Sequence, residues 1–154
     1  MNEQLDELYR DIIMDHYRNP RGKRKLDKID IRNEGKNPVC GDEIEMQVEL
    51  EDDKVKDIHV GCMGCAISVS SGSILAEMVK GKSLSEVKKI AETVKALLRG
   101  EPVPDGVDVG DLEVLEGIKQ FPVRVKCALL SWTTLVDALE SHEKGKDVTL
   151  STTE

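Results

Sequence analysis

The stretch EIEMQVEL, residues 43–50, alternates polar and apolar side chains at every position. A period of two predicts a β-strand that turns one face to the core and the other to solvent. The residues EDDK (51–54) predict a turn, and residues 54–60 predict the returning strand of a hairpin. KIDIR (28–32) predicts a third strand at the edge of the same sheet.

The spacing of apolar residues outside this hairpin is helical. Residues 3–18 predict a first helix, residues 68–79 a second, and a capping box from Ser83 to Glu86 opens a third that ends at Gly100. A short helix over 111–119 and a last helix over 127–141 follow a Pro/Gly loop at 101–110. We therefore expect one α+β domain over residues 1–154. It would contain a small three-stranded antiparallel sheet with helices packed on one face and a frayed tail from about residue 143.

Composition excludes several classes of protein. The chain of 154 residues carries 22 basic and 30 acidic side chains, a net charge of −8, and 3% of its residues are aromatic. These values argue against binding to nucleic acid or to an anionic membrane. No apolar run reaches the length of a membrane span, and the N-terminus lacks the pattern of a secretory signal. We expect a cytoplasmic protein whose four cysteines stay reduced and bind metal or perform chemistry.

The reactive side chains fall at predicted element boundaries, where distant parts of a chain can meet. Cys40 and Asp42 precede the alternating strand, Cys65 lies between the hairpin and a helix, and Cys127 opens the last helix. Helix N-termini favour thiolates. Three thiolates and one carboxylate suit tetrahedral zinc, but the same thiolates could hold an iron–sulfur cluster. Spacing alone does not choose between the two.

Three motifs, in this order, resemble the IscU/SufU (NifU N-terminal-like) family of iron–sulfur cluster assembly proteins. They are NPVCGDEIEM (37–46), GCAIS (64–68) and FPVRVKCALLSW (121–132), and the resemblance extends over nearly the whole chain. It implies an IscU/SufU-like fold. It also implies that Cys40, Asp42, Cys65 and Cys127 are the family's ligands.

Within the family, the chain is more similar to the SufU type. Lys126 stands where IscU proteins have histidine, and residues 101–119 resemble the insertion that marks SufU. This resemblance implies a zinc-dependent sulfurtransferase that takes persulfide sulfur from a PLP-dependent, SufS-like cysteine desulfurase. Cys40 would be the acceptor, and downstream iron–sulfur scaffold or carrier proteins would receive the product. Lys126 would hydrogen-bond to the site or offset its negative charge, or else be a solvated cation without a role there.

Two other functions use the same residues. An IscU-type, non-enzymatic scaffold would bind iron or a transient [2Fe–2S] cluster through Cys40, Cys65 and Cys127. A structural zinc module would bind proteins without a reactive cysteine. Cys62 has no counterpart in the family motif. It is interpreted first as a bystander, and otherwise as a substitute ligand or as the partner of Cys65 in a disulfide that disables the site under oxidation.

Overall fold

The computed structural model of the protein describes residues 3–103, 110–145 and 150–153. The elements in chain order are α1 (Glu3–Arg18), β1 (Ile31–Asn37), β2 (Asp42–Glu51), β3 (Lys54–Met63), α2 (Ala66–Val79), α3 (Leu84–Arg99), a 3₁₀ helix (Gly110–Ile118), α4 (Pro122–Glu143) and β4 (Ser151–Thr152). The α+β class is confirmed. None of the helices in these ranges is long and apolar enough to cross a membrane.

The sheet has four strands in the order β3-β2-β1-β4, which corrects the prediction of three antiparallel strands. β2 pairs antiparallel with both β1 and β3, whereas β4 pairs parallel with β1 through Gly35 and Lys36. The sheet is therefore mixed, and β1 is not an edge strand. The prediction was wrong because β4 comes from the tail, whose pairing with β1 is non-local and leaves no periodic pattern.

The hairpin follows the prediction closely. Glu51 pairs with Lys54, and the two residues between them, Asp52 and Asp53, have φ angles of 53° and 58°. Positive φ at both central positions is the geometry of a type I′ turn, whose twist matches that of the paired strands. Ile44, Met46 and Val48 of β2 are buried, Leu50 is half-buried, and the glutamates of the strand are half-buried or exposed, which follows the predicted alternation as far as Val48.

α2 and α4 pack on the buried face of the sheet. A Cβ at Gly35 of β1 would lie 2.8 Å from Ile44 Cγ2 and would also collide with Thr134 of α4, so glycine allows the helix to approach this closely. The core contains side chains of β2, α2, α3, the 3₁₀ helix and α4. Its largest fully buried side chain is Trp132, whose Nε1 donates to Ser71 Oγ at 3.2 Å.

Several boundaries differ from the prediction. β1 covers Ile31–Asn37 rather than 28–32, and therefore ends three residues before Cys40. α4 begins at Pro122 rather than at Cys127, because proline is well tolerated in the first turn of a helix. The tail expected to be frayed contains β4. The capping box of α3 is confirmed by reciprocal hydrogen bonds between Ser83 and Glu86.

Candidate metal centre

Cys40 and Asp42 are placed by the turn between β1 and β2. Asn37, the last residue of β1, pairs with Asp42, the first of β2. The backbone carbonyl of Asn37 accepts a hydrogen bond from Gly41 N at 2.9 Å. Gly41 has a φ of +74°, a left-handed conformation that favours glycine. The turn therefore leaves Cys40 exposed at its tip, while Asp42 begins the strand with a buried side chain.

Cys127 comes from α4 and meets Cys40, 87 residues away in the sequence. The two Sγ atoms lie 2.7 Å apart, and Cys127 is buried. Because α4 begins at Pro122, Cys127 lies in its second turn. The prediction that the helix N-terminus stabilises a thiolate at Cys127 was therefore wrong.

Cys65 is the N-cap of α2, as its predicted position before a helix requires. Its Sγ accepts from Ser68 N at 3.5 Å, and its own N–H donates to Asp42 Oδ1 at 3.0 Å. Cys65 Sγ lies 3.8 Å from Asp42 Oδ2. The preceding residue, Gly64, packs so closely that a Cβ there would lie 2.8 Å from Asp42 Cγ. Asp42 thus contacts the segment that carries Cys65.

The carboxylate of Asp42 is buried without a cationic partner. Its side chain is 1% exposed, and within residues 3–103, 110–145 and 150–153 no lysine, arginine or histidine forms an ion pair with it. Burial alone would raise the pKa of Asp42. Hydrogen bonds donated by Ser68 Oγ and Cys65 N outweigh that effect and hold the pKa below its usual value. A buried carboxylate is normally paired with a cation or bound to a metal.

The pKa values of the two neighbouring thiols, Cys40 and Cys127, are raised instead of lowered. Burial, with the charge of Asp42 nearby, raises the pKa of Cys40, although contact with Cys127 opposes the shift. Burial and the contact with Cys40 raise the pKa of Cys127. Without a bound cation, both thiols therefore hold their protons more tightly than a free cysteine does.

The geometry of these groups fits a tetrahedral metal. Cys40, Asp42 and Cys127 each offer one ligand atom, and these three atoms lie within 4.8 Å of one another. Zn–S and Zn–O bonds of about 2.3 and 2.1 Å require S···O and S···S separations of about 3.6 and 3.8 Å. The 3.8 Å from Cys65 Sγ to Asp42 Oδ2 matches this, while the sulfurs of Cys40 and Cys127 would have to separate by about 1 Å. The structure therefore brings three of the four predicted ligands together, whereas Cys65 lies next to Asp42 but is not part of this close group. Three thiolates and one carboxylate remain a donor set that suits zinc.

Cys62 and Lys126, the predicted accessory residues, lie outside this group. Cys62 is half-buried in β3 opposite Ile44, and burial raises its pKa to about 12. All four cysteines are free, so no disulfide joins Cys62 to Cys65. Lys126 is half-buried, and its carbonyl accepts from Thr153 Oγ1 at 3.1 Å. Among the described residues, its ammonium forms no ion pair.

Two buried polar residues contact the ligands and were missed by sequence reasoning. Asn37 donates its side-chain amide to Cys40 Sγ at 2.9 Å, and Ser68 donates its hydroxyl to Asp42 Oδ2. Their sequence signals are weak, because asparagine before a turn and serine in a first helical turn are common in any protein. Only their burial and contacts distinguish them.

Exposed apolar side chains occur close in sequence to these ligands. Val39 precedes Cys40 and is 60% exposed, and Met63 lies two residues before Cys65 and is 77% exposed. Phe121 and Val123, at the start of α4, are also exposed. We call these four residues the apolar rim. An apolar surface beside a reactive group is typical of a site that docks another protein.

Comparison with known proteins places this arrangement in a family. The profile of the NifU-like N terminal domain matches residues 8–146. The chain is 39% identical to the zinc-dependent sulfurtransferase SufU of Bacillus subtilis, over 94% of this chain and 97% of that protein. It is 32% identical to the iron–sulfur cluster assembly scaffold protein IscU of Streptococcus pyogenes, over 95% of this chain and 91% of that protein.

A solved structure shares the fold. It is a crystal structure described as that of a candidate iron–sulfur cluster assembly scaffold protein for the SUF system, from Fervidobacterium islandicum AW-1. The TM-score is 0.79 at 32% identity, over 83% of this chain and 93% of that one. The chain therefore belongs to the NifU-like N-terminal domain family of iron–sulfur cluster assembly proteins, which includes SufU and IscU.

Proposed function

We propose that this chain is a SufU-type sulfur acceptor. It would bind zinc through Cys40, Asp42, Cys65 and Cys127, and it would take persulfide sulfur from a PLP-dependent, SufS-like cysteine desulfurase. The observation that carries the proposal is the buried carboxylate of Asp42, which lies against cysteine thiols and has no cationic partner in the described part of the chain. The greater identity to SufU than to IscU supports the same assignment.

Bound zinc would keep the ligand thiols deprotonated at neutral pH, which offsets the raised pKa values of Cys40 and Cys127. The fold then determines which of the three sulfurs a partner protein can reach. Cys127 is buried, whereas Cys65 is exposed and its Sγ accepts from Ser68 N at the N-cap of α2. Cys40 is also exposed, and it lies at the tip of a turn rather than at the start of a helix, so we assign it as the thiol that accepts sulfur.

The proposed transfer is an ordinary thiol–disulfide exchange. The thiolate of Cys40 attacks the terminal sulfur of the persulfide on the desulfurase cysteine. A new S–S bond forms at Cys40 Sγ while the S–S bond on the desulfurase breaks, and the desulfurase cysteine leaves as a thiolate. The exchange consumes no oxidant or reductant. Cys40 then carries the persulfide for downstream scaffold or carrier proteins.

The apolar rim supports docking of a desulfurase next to Cys40. Val39 and Met63 are the most exposed large apolar side chains among the described residues, and both lie close in sequence to a candidate ligand. A partner that covers them would exclude water from the transfer. This would protect a persulfide from side reactions.

The second candidate function is an IscU-type scaffold that assembles a [2Fe–2S] cluster on the same ligands. Thiolate donors suit iron–sulfur clusters as well as zinc. The 32% identity to an IscU protein over 95% of the chain favours this function. The two functions differ in where sulfur ends up, as a persulfide on one cysteine or as sulfide bridging iron.

Persulfide mapping tests the proposal directly. The zinc-loaded protein is incubated with the desulfurase and cysteine, then alkylated and analysed by peptide mass spectrometry. We expect the persulfide on Cys40, no transfer to Cys40→Ser, and normal transfer to the matched control Cys62→Ser. Undiminished transfer to Cys40→Ser would refute the role of Cys40.

A further inference from the structure

Asn37 is a buried polar residue at the end of β1, and the proposed transfer does not use it. Its side chain is 0% exposed, so both ends of its amide need hydrogen-bond partners within the protein. Register with Asp42 across the β1–β2 turn places it beneath the turn that carries Cys40.

The two ends of this amide have different partners. Asn37 Oδ1 accepts from Val39 N at 3.2 Å, which shapes the turn. Asn37 Nδ2 donates to Cys40 Sγ at 2.9 Å and lies 3.9 Å from Cys127 Sγ. The side-chain oxygen therefore binds the backbone of the turn, and the side-chain nitrogen contacts the two sulfurs, which lie 2.7 Å apart.

The donors around the proposed metal centre face a net negative charge. A zinc ion with three thiolates and one carboxylate has a net charge of about −2. No lysine, arginine or histidine in the described ranges forms an ion pair or hydrogen bond with Asp42 or with the three cysteines. The donors that contact these groups are therefore neutral: the side chains of Asn37 and Ser68 and the backbone N–H groups of Cys65 and Ser68.

We propose that Asn37 is a positioning residue of the metal centre. Its N–H groups hold Cys40 Sγ beside Cys127 Sγ and stabilise the negative charge on the metal-bound sulfurs. Donors that orient a ligand and tune its charge typically contribute 10–100-fold to metal affinity. This inference rests on the proposed metal centre, but it holds for zinc and for an iron–sulfur cluster alike.

Two substitutions separate this role from that of the turn. Asn37→Asp keeps an oxygen to accept from Val39 N but replaces the N–H donor with a carboxylate oxygen. Asn37→Ala removes both functions. The matched control is Asn33→Asp, on the same buried face of β1, where the amide donates to Thr134 O at 2.9 Å and to Ser151 Oγ at 3.0 Å.

Zinc affinity, measured by competition with a chelator, is the first readout. We expect Asn37→Asp and Asn37→Ala each to bind zinc about 10–100-fold more weakly than the wild type. Asn33→Asp should lower the melting temperature and leave zinc affinity unchanged. Far-UV circular dichroism of the metal-free proteins checks that all variants are folded.

Cobalt(II) absorption is the second readout, which a purely structural role would not change. Loss of an N–H···S hydrogen bond raises the energy of the sulfur lone pairs, so the sulfur-to-cobalt charge-transfer band of Asn37→Asp should move to longer wavelength. Wild-type affinity and an unshifted band in Asn37→Asp would overturn the role of Asn37 alone. A wild-type chain that binds neither zinc nor cobalt would overturn the metal centre as well.

Discussion

Gly64 packs directly against Asp42, so closely that a Cβ atom at position 64 would lie 2.8 Å from Asp42 Cγ. No real Cβ tolerates such a contact with a buried group, so either the Cys65 segment or the carboxylate would have to move. The glycine before Cys65 is thus explained by the carboxylate of Asp42, 22 residues earlier in the chain.

Gly64→Ala should therefore weaken zinc binding without unfolding the protein. We expect a loss of about 10–100-fold in affinity, the usual effect of misplacing a metal ligand. The measurement is a competition titration with a chromogenic chelator. Gly81→Ala is the matched control, because Gly81 has a φ of +84° and a Cβ added there would meet no atom within 4 Å. It should lower the melting temperature and leave affinity unchanged, and equal affinities in all three proteins would contradict the account.

Zinc affinity should increase with pH. Burial raises the pKa of Cys40 and Cys127, so both carry protons at neutral pH that zinc must displace. The lowered pKa of Asp42 means that its carboxylate is already ionised and adds nothing to the slope. Displacement of the protons on Cys40 and Cys127 alone predicts about a 100-fold gain per pH unit between roughly pH 6.5 and 8.5, and a third ligand thiol at Cys65 would add to it. An affinity that is constant over this range would show that these thiols are not the ligands.

Cys62 should be dispensable for metal binding. It is half-buried and its pKa is raised to about 12, whereas Cys65 is exposed and its Sγ lies 3.8 Å from Asp42 Oδ2. We expect Cys62→Ser to retain one zinc per chain by elemental analysis, whereas Cys65→Ser loses most of it. Equal loss in the two variants would mean that Cys62 is a ligand.

Substitution in the apolar rim should affect docking and leave the metal in place. Met63 is 77% exposed, so aspartate at this position costs the fold little but places a charge in the proposed interface. We expect Met63→Asp to weaken binding to the desulfurase by about tenfold or more, the effect of losing a central interface residue. Calorimetric titration of the zinc-loaded protein measures it. Tyr17→Asp, at the end of α1, is the control, and equal weakening in both variants would argue against the rim.

The sequence predicted those parts of the fold whose signals are local. The alternation at 43–50 and the capping box at Ser83 each depend on neighbouring residues, and both are confirmed, the alternation as far as Val48. β4 could not be predicted in this way, because two residues of a polar tail pair with β1 over a long sequence separation. The start of α4 differs from the prediction because Pro122 is as typical of a break as of the first turn of a helix.

In the candidate site, too, local features could be predicted from the sequence and tertiary contacts could not. Cys65 at a helix start follows from periodicity, and the structure places it as an N-cap. The meeting of Cys40 with Cys127 and the contacts of Asn37 depend on how α4 packs against the β1–β2 turn. Such tertiary contacts leave no local pattern, so the family resemblance was needed to group the four candidate ligands.

The most direct test of the central claim follows sulfur and metal together. The zinc-loaded protein is incubated anaerobically with the desulfurase, cysteine and ferrous iron, and zinc, iron, acid-labile sulfide and cysteine persulfide are then quantified. We expect zinc to be retained, Cys40 to carry the persulfide and no labile sulfide to form. Replacement of zinc by iron with a matching amount of labile sulfide would contradict this expectation and would establish a cluster scaffold instead.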